Sequence, residues 1–202
     1  MHRITTLEEL DALYGEPVGA AVTKEIDYIS DHYKVFIDKA PFVVLATVGP
    51  EGLDCSPRGD PAGFVRVRDK HTVLIPDRRG NNRVDTFGNI LASPGVGLIF
   101  LVPGINETLR VNGRAQITQD PALLTPLAVQ NVAPTIGLKV HVDECYFHCG
   151  KALIRSKLWD PKVQVERHSF PTLGRIVAEQ TAAVSVDVAA KTMEEAYRTR
   201  LY

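Results

Sequence analysis

The sequence has no strong excess of charge of either sign. Among its 202 residues, 23 Lys and Arg stand against 24 Asp and Glu, which gives a formal net charge of −1. Proteins that coat nucleic acid or anionic membranes are usually basic, so we expect neither kind of partner. No apolar run approaches the roughly 20 residues that cross a bilayer, and the first residues lack the apolar core of a signal peptide. We therefore expect a cytoplasmic protein.

Cysteine is scarce as well, with Cys55, Cys145 and Cys149 only. Three is too few, and odd, for a disulfide framework, which favours a reducing compartment. His148 suggests a zinc site with its neighbours, but in a strand the last two cysteines lie about 13 Å apart and the histidine points to the opposite face. Zinc needs ligands roughly 2.0–2.3 Å from one centre. The sequence therefore predicts no metal site, and two buried cysteines that act as small hydrophobic residues.

Helical patterns are present at the N-terminal end of the chain. Thr6 and Glu9 form a capping-box pattern at the start of a first helix, which Pro17 and Gly19 should end. Apolar residues at three- and four-residue spacing predict a second helix over about 23–39. Helical character returns in the C-terminal tail.

The middle of the chain contains short β-branched and apolar segments separated by turn residues, which predict about six strands. The first two, FVVLATV and LDCSPRG, are joined by a Gly-Pro-Glu-Gly turn. The segment over 96–102 is apolar on both faces, which predicts a central strand. Short helices are predicted over 82–92 and after Asp120, where proline follows at the first helical position. Short strands with hairpin links favour a mainly β, antiparallel barrel over a doubly wound parallel sheet.

The segment PDRRGNNRVDTFGNIL is the most informative for function. Arg78, Arg79 and Arg83 lie where a strand ends and a short helix begins. The amides at a helix N-terminus carry about half a positive charge and bind anions, and arginine adds paired donors that suit phosphate. One interpretation is a phosphate site. The other is a solvated basic loop in which Asn81 or Asn82 caps the helix.

Two further segments have a functional and a structural interpretation. The prolines and glycines of CSPRGDPAGF predict a strand that bends and leaves backbone open to a flat ligand, with Arg58 as an added contact; alternatively, Arg58 pairs with Asp60 at the surface. Lys151 precedes Trp159, the single tryptophan, in a basic segment that suits an anion beside an aromatic wall. Alternatively, this is a basic surface strand with the tryptophan packed on the core.

Motifs that would identify a catalytic acid, base or nucleophile are missing from the sequence. It contains no Ser-His-Asp signature, no P-loop and no G-x-G-x-x-G, so the catalytic residues remain unassigned. If the protein is an enzyme, we expect the reactive atom to belong to a cofactor.

Several motifs occur together and in order: SPRGD, GNNR, IFLVPG, ETLRVNGRA and SKLWDP. Together they resemble the FMN-binding split barrels related to pyridoxamine 5'-phosphate oxidase, and in particular a branch of FMN-dependent enzymes. The resemblance covers about 42–161. It implies a six-stranded antiparallel Greek-key barrel that forms a homodimer, with two FMN sites at the dimer interface.

The resemblance also implies roles for individual residues. Asn82 and Arg83 take the place of the family's Arg-Lys phosphate clamp, and Thr108 takes the place of a glutamine contact. Lys151 and Trp159 would come from the partner subunit. The full set of expected cofactor-binding residues is Ser56, Pro57, Arg58, Gly59, Ile75, Arg79, Asn82, Arg83, Thr108, Lys151 and Trp159.

These observations define an expected organisation and function. We expect a helical extension over 1–40, a flavin-binding barrel over 41–161 and a second helical extension over 162–202. The expected function is that of an FMN-dependent oxidoreductase that transfers a hydride to or from a small molecule; the alternative is a non-catalytic flavin, deazaflavin or haem binding or sensing protein on the same barrel. The tail lacks the tryptophan and paired arginines that grip pyridoxal phosphate in the oxidase, which argues against pyridoxamine phosphate as the substrate.

Overall fold

The computed structural model describes residues 3–15, 19–181, 184–199 and 201. Its first helix, α1 (Leu7–Tyr14), begins with the predicted capping box: Thr6 Oγ1 accepts a hydrogen bond from the Glu9 amide at 3.2 Å, and Glu9 Oε2 accepts one from the Thr6 amide at 3.3 Å. Gly15 ends the helix with a φ of 68°, a left-handed conformation that favours glycine. Pro17, which was expected to end this helix, lies outside the described residues.

The described residues form one antiparallel sheet of seven strands. The strands are β1 (Phe42–Gly49), β2 (Gly52–Gly59), β3 (Arg66–Asp69), β4 (Thr72–Pro76), β5 (Gly95–Leu101), β6 (Thr108–Thr118) and β7 (Gly137–His148). Their order across the sheet is β2-β1-β5-β6-β7-β4-β3. The hairpins β5-β6-β7, with β4 returning beside β7, make a Greek key. The predicted count of six is therefore low by one.

Strand β5 is central, as its apolar sequence predicts, but it is not buried on both faces. Val96, Leu98 and Phe100 are buried, while the alternate side chains are partly or largely exposed, with Ile99 40% exposed. The same alternation holds in β1, where Val43 and Leu45 point inward. The inward side chains of β1, β5, β6 and β7 form the main core. The outward side chains of β1 and β5 are partly or largely exposed.

The predicted helix over 23–39 is wrong in its first half. Only α2 (Ala20–Thr23) and α3 (Asp31–Lys39) are helical, and Ser30 begins α3 by accepting a hydrogen bond from the Tyr33 amide. Between the two helices, Ile26 exchanges backbone hydrogen bonds of 3.1 and 2.7 Å with Cys145 of β7. Pairing with a strand edge therefore overrides the helical spacing of the apolar residues in this segment.

Two short helices lie between the strands. Helix α4 (Asp85–Ala92) follows β4, and α5 (Pro121–Leu124) follows β6 with Asp120 as its cap, as predicted. Helix α4 begins three residues later than expected. It is also packed closely on β1: Asn89 Nδ2 donates to Thr47 Oγ1 at 3.1 Å, and the Asn89 side chain fills the space that a Cβ at Gly49 would occupy.

Among the described residues, three α-helices follow the sheet: α6 (Lys151–Ser156), α7 (Leu173–Thr181) and α8 (Val186–Thr199). Helices α7 and α8 pack on each other through small residues, since Gly174 lies so close to the backbone of Ala189 and Ala190 that a Cβ there would clash. Within the described ranges, no helix has the length and apolar character needed to span a membrane.

Candidate functional site

A cleft of about 360 Å³ lies between β2 and the start of α4, and we call it the α4 cleft. It combines residues from two of the segments that sequence analysis identified. Its lining residues are Asp54, Ser56, Pro57, Arg58, Asn81, Arg83, Asp85 and Thr86.

The alternation of β2 explains how its polar side chains reach the cleft. Asp54, Ser56 and Arg58 occupy every second position and are partly buried, whereas the positions between them are exposed. All three side chains meet Thr86 in the first turn of α4, which is only 3% exposed. Arg58 Nη2 donates to Thr86 Oγ1 at 3.1 Å, and the Thr86 hydroxyl lies 3.3 Å from Ser56 Oγ and 3.4 Å from Asp54 Oδ2.

The start of α4 leaves its amides open toward the cleft. Val84 is the residue at the N-cap position, and no side chain among the described residues caps the helix there. The expected asparagine cap is therefore wrong: Asn81 Oδ1 accepts from the Arg83 amide at 3.0 Å instead, and Asn82 adopts a left-handed φ of 60°. Such uncapped amides, together with the helix dipole, favour an anion at this position.

Charges of both signs line the α4 cleft. Arg83 is mostly exposed, at 75% of its side chain, and its guanidinium contacts the Asp85 carboxylate at 2.8 and 2.9 Å. Asp54 adds a second carboxylate. An incoming phosphate therefore competes with Asp85 for the donors of Arg83.

A second arginine of the same loop has a structural role. Arg78 Nε donates to Asp60 Oδ2 at 2.6 Å, and Arg78 Nη2 donates to the Leu127 carbonyl at 2.9 Å. The Asp60 side chain is only 1% exposed, so this is a buried ion pair that joins the end of β2 to the end of β4. The predicted surface pair between Arg58 and Asp60 is therefore wrong, because Asp60 is not at the surface.

Asp77 lies where β4 ends, close to the α4 cleft. Burial raises the pKa of its carboxyl group, while the neighbouring Arg58 and Arg78 act in the opposite direction. A second cavity, of about 380 Å³, is lined by Asp77, Arg78, Arg79 and residues 132–135. Arg79 thus lines this second cavity rather than the α4 cleft.

The other expected cofactor residues are spread over the barrel. Gly59 is the last residue of β2, and Ile75 is buried in β4 opposite Leu138. Thr108 is buried at the start of β6, three strands from β2 in the sheet order. At 4.8 Å per strand, that separation is about 14 Å along the sheet.

Lys151 and Trp159 lie near the connection between β5 and β6. Lys151 is the exposed first residue of α6. Trp159 is half-buried, and its Nε1 donates to the Ile105 carbonyl at 2.8 Å. Within one chain, neither residue lines the α4 cleft.

Sequence reasoning missed three residues that shape the cleft, Asp54, Asp85 and Thr86. The alternation of β2 was a signal for Asp54, because it lies two residues before Ser56 and therefore on the same side of the strand. Thr86 had no comparable signal, since its burial depends on how α4 docks on β2.

The cysteines occupy different environments. Cys145 is buried, its thiol donates to the Tyr28 carbonyl at 3.0 Å, and burial raises its pKa to about 12. Cys55 and Cys149 are exposed, so the expected burial is wrong for Cys149, which follows the end of β7. In the parts of the chain that the structure describes, no three His, Cys, Asp or Glu side chains come together as a metal site.

Comparison with known proteins identifies the family. A family model described as pyridoxamine 5'-phosphate oxidase matches residues 29–149, more than half of the chain. No match was found among the curated proteins.

Solved structures that resemble this chain include HupZ of Group A Streptococcus, with 18% identity and a TM-score of 0.49 over 59% of this chain and 93% of that chain. A second is an FMN-binding protein from Syntrophomonas wolfei, with 10% identity and a TM-score of 0.44 over 71% of this chain and 97% of that chain. A third is General Stress Protein 26 from Bacillus anthracis, with 15% identity and a TM-score of 0.44 over 56% of this chain and 88% of that chain. On the family match, the chain belongs to the pyridoxamine 5'-phosphate oxidase family, and its antiparallel sheet with flanking helices is the split barrel of that family.

Proposed function

We propose that the protein binds FMN in the α4 cleft and uses it as an oxidoreductase acting on a small molecule. The observation that carries the proposal is the uncapped start of α4, which faces a cleft containing Arg83, Arg58 and two hydroxyl groups. Membership of the pyridoxamine 5'-phosphate oxidase family supports the choice of a flavin. Bound flavin would supply the hydride chemistry for which the sequence has no catalytic motif.

The phosphate of FMN suits the start of α4 for three physical reasons. The open amides of the first turn donate to phosphate oxygens, and the helix dipole favours negative charge there. Arg83 can turn its planar donors from Asp85 to a phosphate, which carries more charge than a carboxylate. The hydroxyl groups of Ser56 and Thr86 lie in the same cleft within hydrogen-bond distance of Asp54, so a phosphate would compete with this carboxylate for two neutral donors.

The flavin ring would then lie along β2, beside Ser56, Pro57, Arg58 and Gly59. Strand β2 is an edge strand, so the backbone groups on its outer side are not used by a neighbouring strand. An edge strand can therefore offer amides and carbonyls to the polar rim of a flat ring. Proline is also tolerated at such an edge, which accounts for Pro57 within the strand.

A homodimer would bring the remaining expected residues to the flavin. Thr108, Lys151 and Trp159 do not line the α4 cleft of their own chain. The outward side of β1, β2 and β5 exposes several large apolar side chains, which we call the apolar face: Phe42, Val48, Leu53, Pro57 and Ile99. Leu53 is 88% exposed. A second copy packed on this face would bury it and place partner residues beside the flavin.

The experiment is a titration of the purified protein with FMN and, separately, with riboflavin, which lacks the phosphate. We expect FMN to bind at least about tenfold more tightly, because the charged contacts at α4 act on the phosphate alone. Arg83→Gln should reduce this preference. Arg175→Gln is the matched control, since Arg175 also pairs with an exposed carboxylate, that of Glu179. A protein that takes up neither compound, or binds both equally, would contradict the proposed site.

Turnover is tested separately from binding. The alternative function is a non-catalytic flavin, deazaflavin or haem binder. The ionisable groups of the α4 cleft are two carboxylates and two arginines, with no histidine or cysteine, which favours a flavin or deazaflavin binder and offers no axial ligand for haem iron. Anaerobic reduction of the FMN-loaded protein by NADH or NADPH, followed by reoxidation with a panel of metabolites, separates the two. Rapid reduction and reoxidation support an oxidoreductase; a flavin that binds but never cycles supports a binder.

A further inference from the structure

A second group of cations lies on the outward side of β6 and β7, away from the α4 cleft. Lys24 Nζ is 5.2 Å from the centre of the Tyr146 ring, and the guanidinium carbon of Arg110 is 5.6 Å from the same centre. The His148 ring lies 5.3 Å from that of Tyr146. We call these four residues the Tyr146 patch.

Arg110 is the distinctive member of the patch. It is partly buried, yet its guanidinium donates no hydrogen bond to any residue that the structure describes. Arginine has five N–H donors. A guanidinium held over an aromatic face keeps the donors at its edge free for a planar acceptor.

Arg114 shows that a guanidinium without hydrogen bonds is not a general feature of β6. It lies four residues further along β6 on the same outward side, and its guanidinium makes three hydrogen bonds to Asp143, of 2.8, 3.0 and 3.3 Å. The carboxylate of β7 nearest to Arg110 in the strand register, that of Glu144, instead accepts a hydrogen bond from Asn112 Nδ2 at 2.8 Å. Among the residues that the structure describes, no carboxylate forms an ion pair with Lys24, Arg110 or His148.

His148 lies close enough to the cations of the patch for their charge to affect its titration. Its pKa is lowered, first by burial and then by the positive charges of Arg110 and Lys24. Lys24 is held in place by donating to the Phe147 carbonyl at 3.0 Å. The groups that face His148 are thus Arg110 on β6, Tyr146 on its own strand and Lys24 on the segment before α3. An anion placed among them would be attracted by all three cationic side chains, including a protonated His148.

We propose that the Tyr146 patch is a binding site for an oxyanion, a phosphate or carboxylate group, with Arg110 as its principal donor and Lys24 and His148 beside it. The oxyanion can come from a small ligand or from a carboxylate of a second copy of this chain. The second source is possible because Arg110 pairs across the sheet with Ile99, so the patch adjoins the apolar face. Thr108, which the family resemblance places at the flavin, pairs with His148 in the register of β6 and β7, so both tests use protein freed of flavin.

The test for a small ligand is an NMR titration of His148, assigned by its loss in His148→Asn, with inorganic phosphate at constant ionic strength. We expect phosphate to raise the pKa of His148 by about 1, in a saturable manner. Arg110→Gln should remove the saturable response, and Arg110→Lys should weaken phosphate binding at least about tenfold, because lysine lacks the planar fork. Arg114→Gln is the matched control and should leave the response unchanged.

The test for the second source is self-association, measured by sedimentation of the same variants. If phosphate produces no response but Arg110→Gln weakens dimerisation at least about tenfold while Arg114→Gln does not, the acceptor is a carboxylate of the second copy. If phosphate shifts the pKa of His148 equally in Arg110→Gln and Arg114→Gln, the effect is non-specific screening and the proposal is overturned. It is equally overturned if neither phosphate binding nor dimerisation depends on Arg110.

Discussion

Arg83 and Arg110 lie in two regions in which the arginine side chain has different contacts. In the α4 cleft, Arg83 contacts Asp85 and the nearby Arg78 contacts Asp60, so carboxylates already occupy donors that a ligand would use. In the Tyr146 patch, Arg110 lies over an aromatic ring and has no carboxylate contact among the described residues. Pairing stabilises the fold but makes an anion compete for the site, whereas stacking orders the guanidinium and leaves its donors free.

The largest expected effect comes from breaking the buried pair. Asp60→Asn removes the carboxylate charge that faces Arg78 in a position where the Asp60 side chain is 1% exposed. Losing one partner of a buried pair costs about 3 kcal/mol of unfolding free energy, because the remaining charge stays desolvated. Urea unfolding of the variant measures this cost. A loss no larger than that of an exposed pair would mean that the Arg78–Asp60 contact is not desolvated in solution.

The second prediction concerns Arg83 itself. Arg83→Ala should lower FMN affinity by about 2 kcal/mol, or roughly thirtyfold, the scale of a charge-assisted hydrogen bond. Its effect on stability should be small, because the pair with Asp85 is exposed. Fluorescence titration with FMN gives the affinity. Unchanged affinity in a folded variant would show that the phosphate is held elsewhere.

A smaller effect is expected from removing the carboxylate partner of Arg83, which leaves Arg83 without a carboxylate contact, as Arg110 is in the Tyr146 patch. Asp85→Asn removes the carboxylate that competes for Arg83, and FMN affinity should rise about threefold. The same change should cost about 0.5 kcal/mol of stability, since Asp85 is an acidic residue in the first turn of α4. Asp187→Asn, in the first turn of α8, is the matched control and should lose similar stability without a gain in affinity.

The smallest effect is expected for the exposed pair on β6 and β7. The hydrogen bonds from Arg114 hold the pKa of Asp143 below its usual range. Because the folded pKa is below that of the unfolded chain, the pair adds stability above about pH 4, and this contribution disappears as the pH falls through the folded value. Asp143→Asn should therefore be slightly less stable than the parent at pH 7 and equal to it at pH 2. Urea midpoints at the two pH values check this.

Local patterns account for most of the fold. The Gly49–Gly52 turn and the alternation of its flanking strands predict the β1-β2 hairpin, and the Asp120 cap predicts α5. Local patterns fail where a distant backbone intervenes. Ile26 has helical spacing with its neighbours, but it bonds to Cys145, which is far away in sequence.

The candidate site was predictable in its location but not in its pairings. Arginines beside a strand-to-helix junction indicate an anion site from chemistry alone. Which arginine stays available depends on contacts such as Arg58 with Thr86, which are 28 residues apart. Arg78 and Arg83 look alike in the sequence, yet only the tertiary structure shows that one is buried against Asp60.

The hydrogen bond to the Ile105 carbonyl fixes the position of the Trp159 indole, and this has a consequence for fluorescence. Because the sequence has a single tryptophan, all indole fluorescence of the protein comes from this one place, beside the β5-β6 connection. Its emission overlaps the near-ultraviolet absorption of flavins, so energy transfer would quench it in proportion to proximity. Quenching of Trp159 fluorescence on addition of FMN therefore measures how close a flavin held by a second copy lies to this end of the barrel.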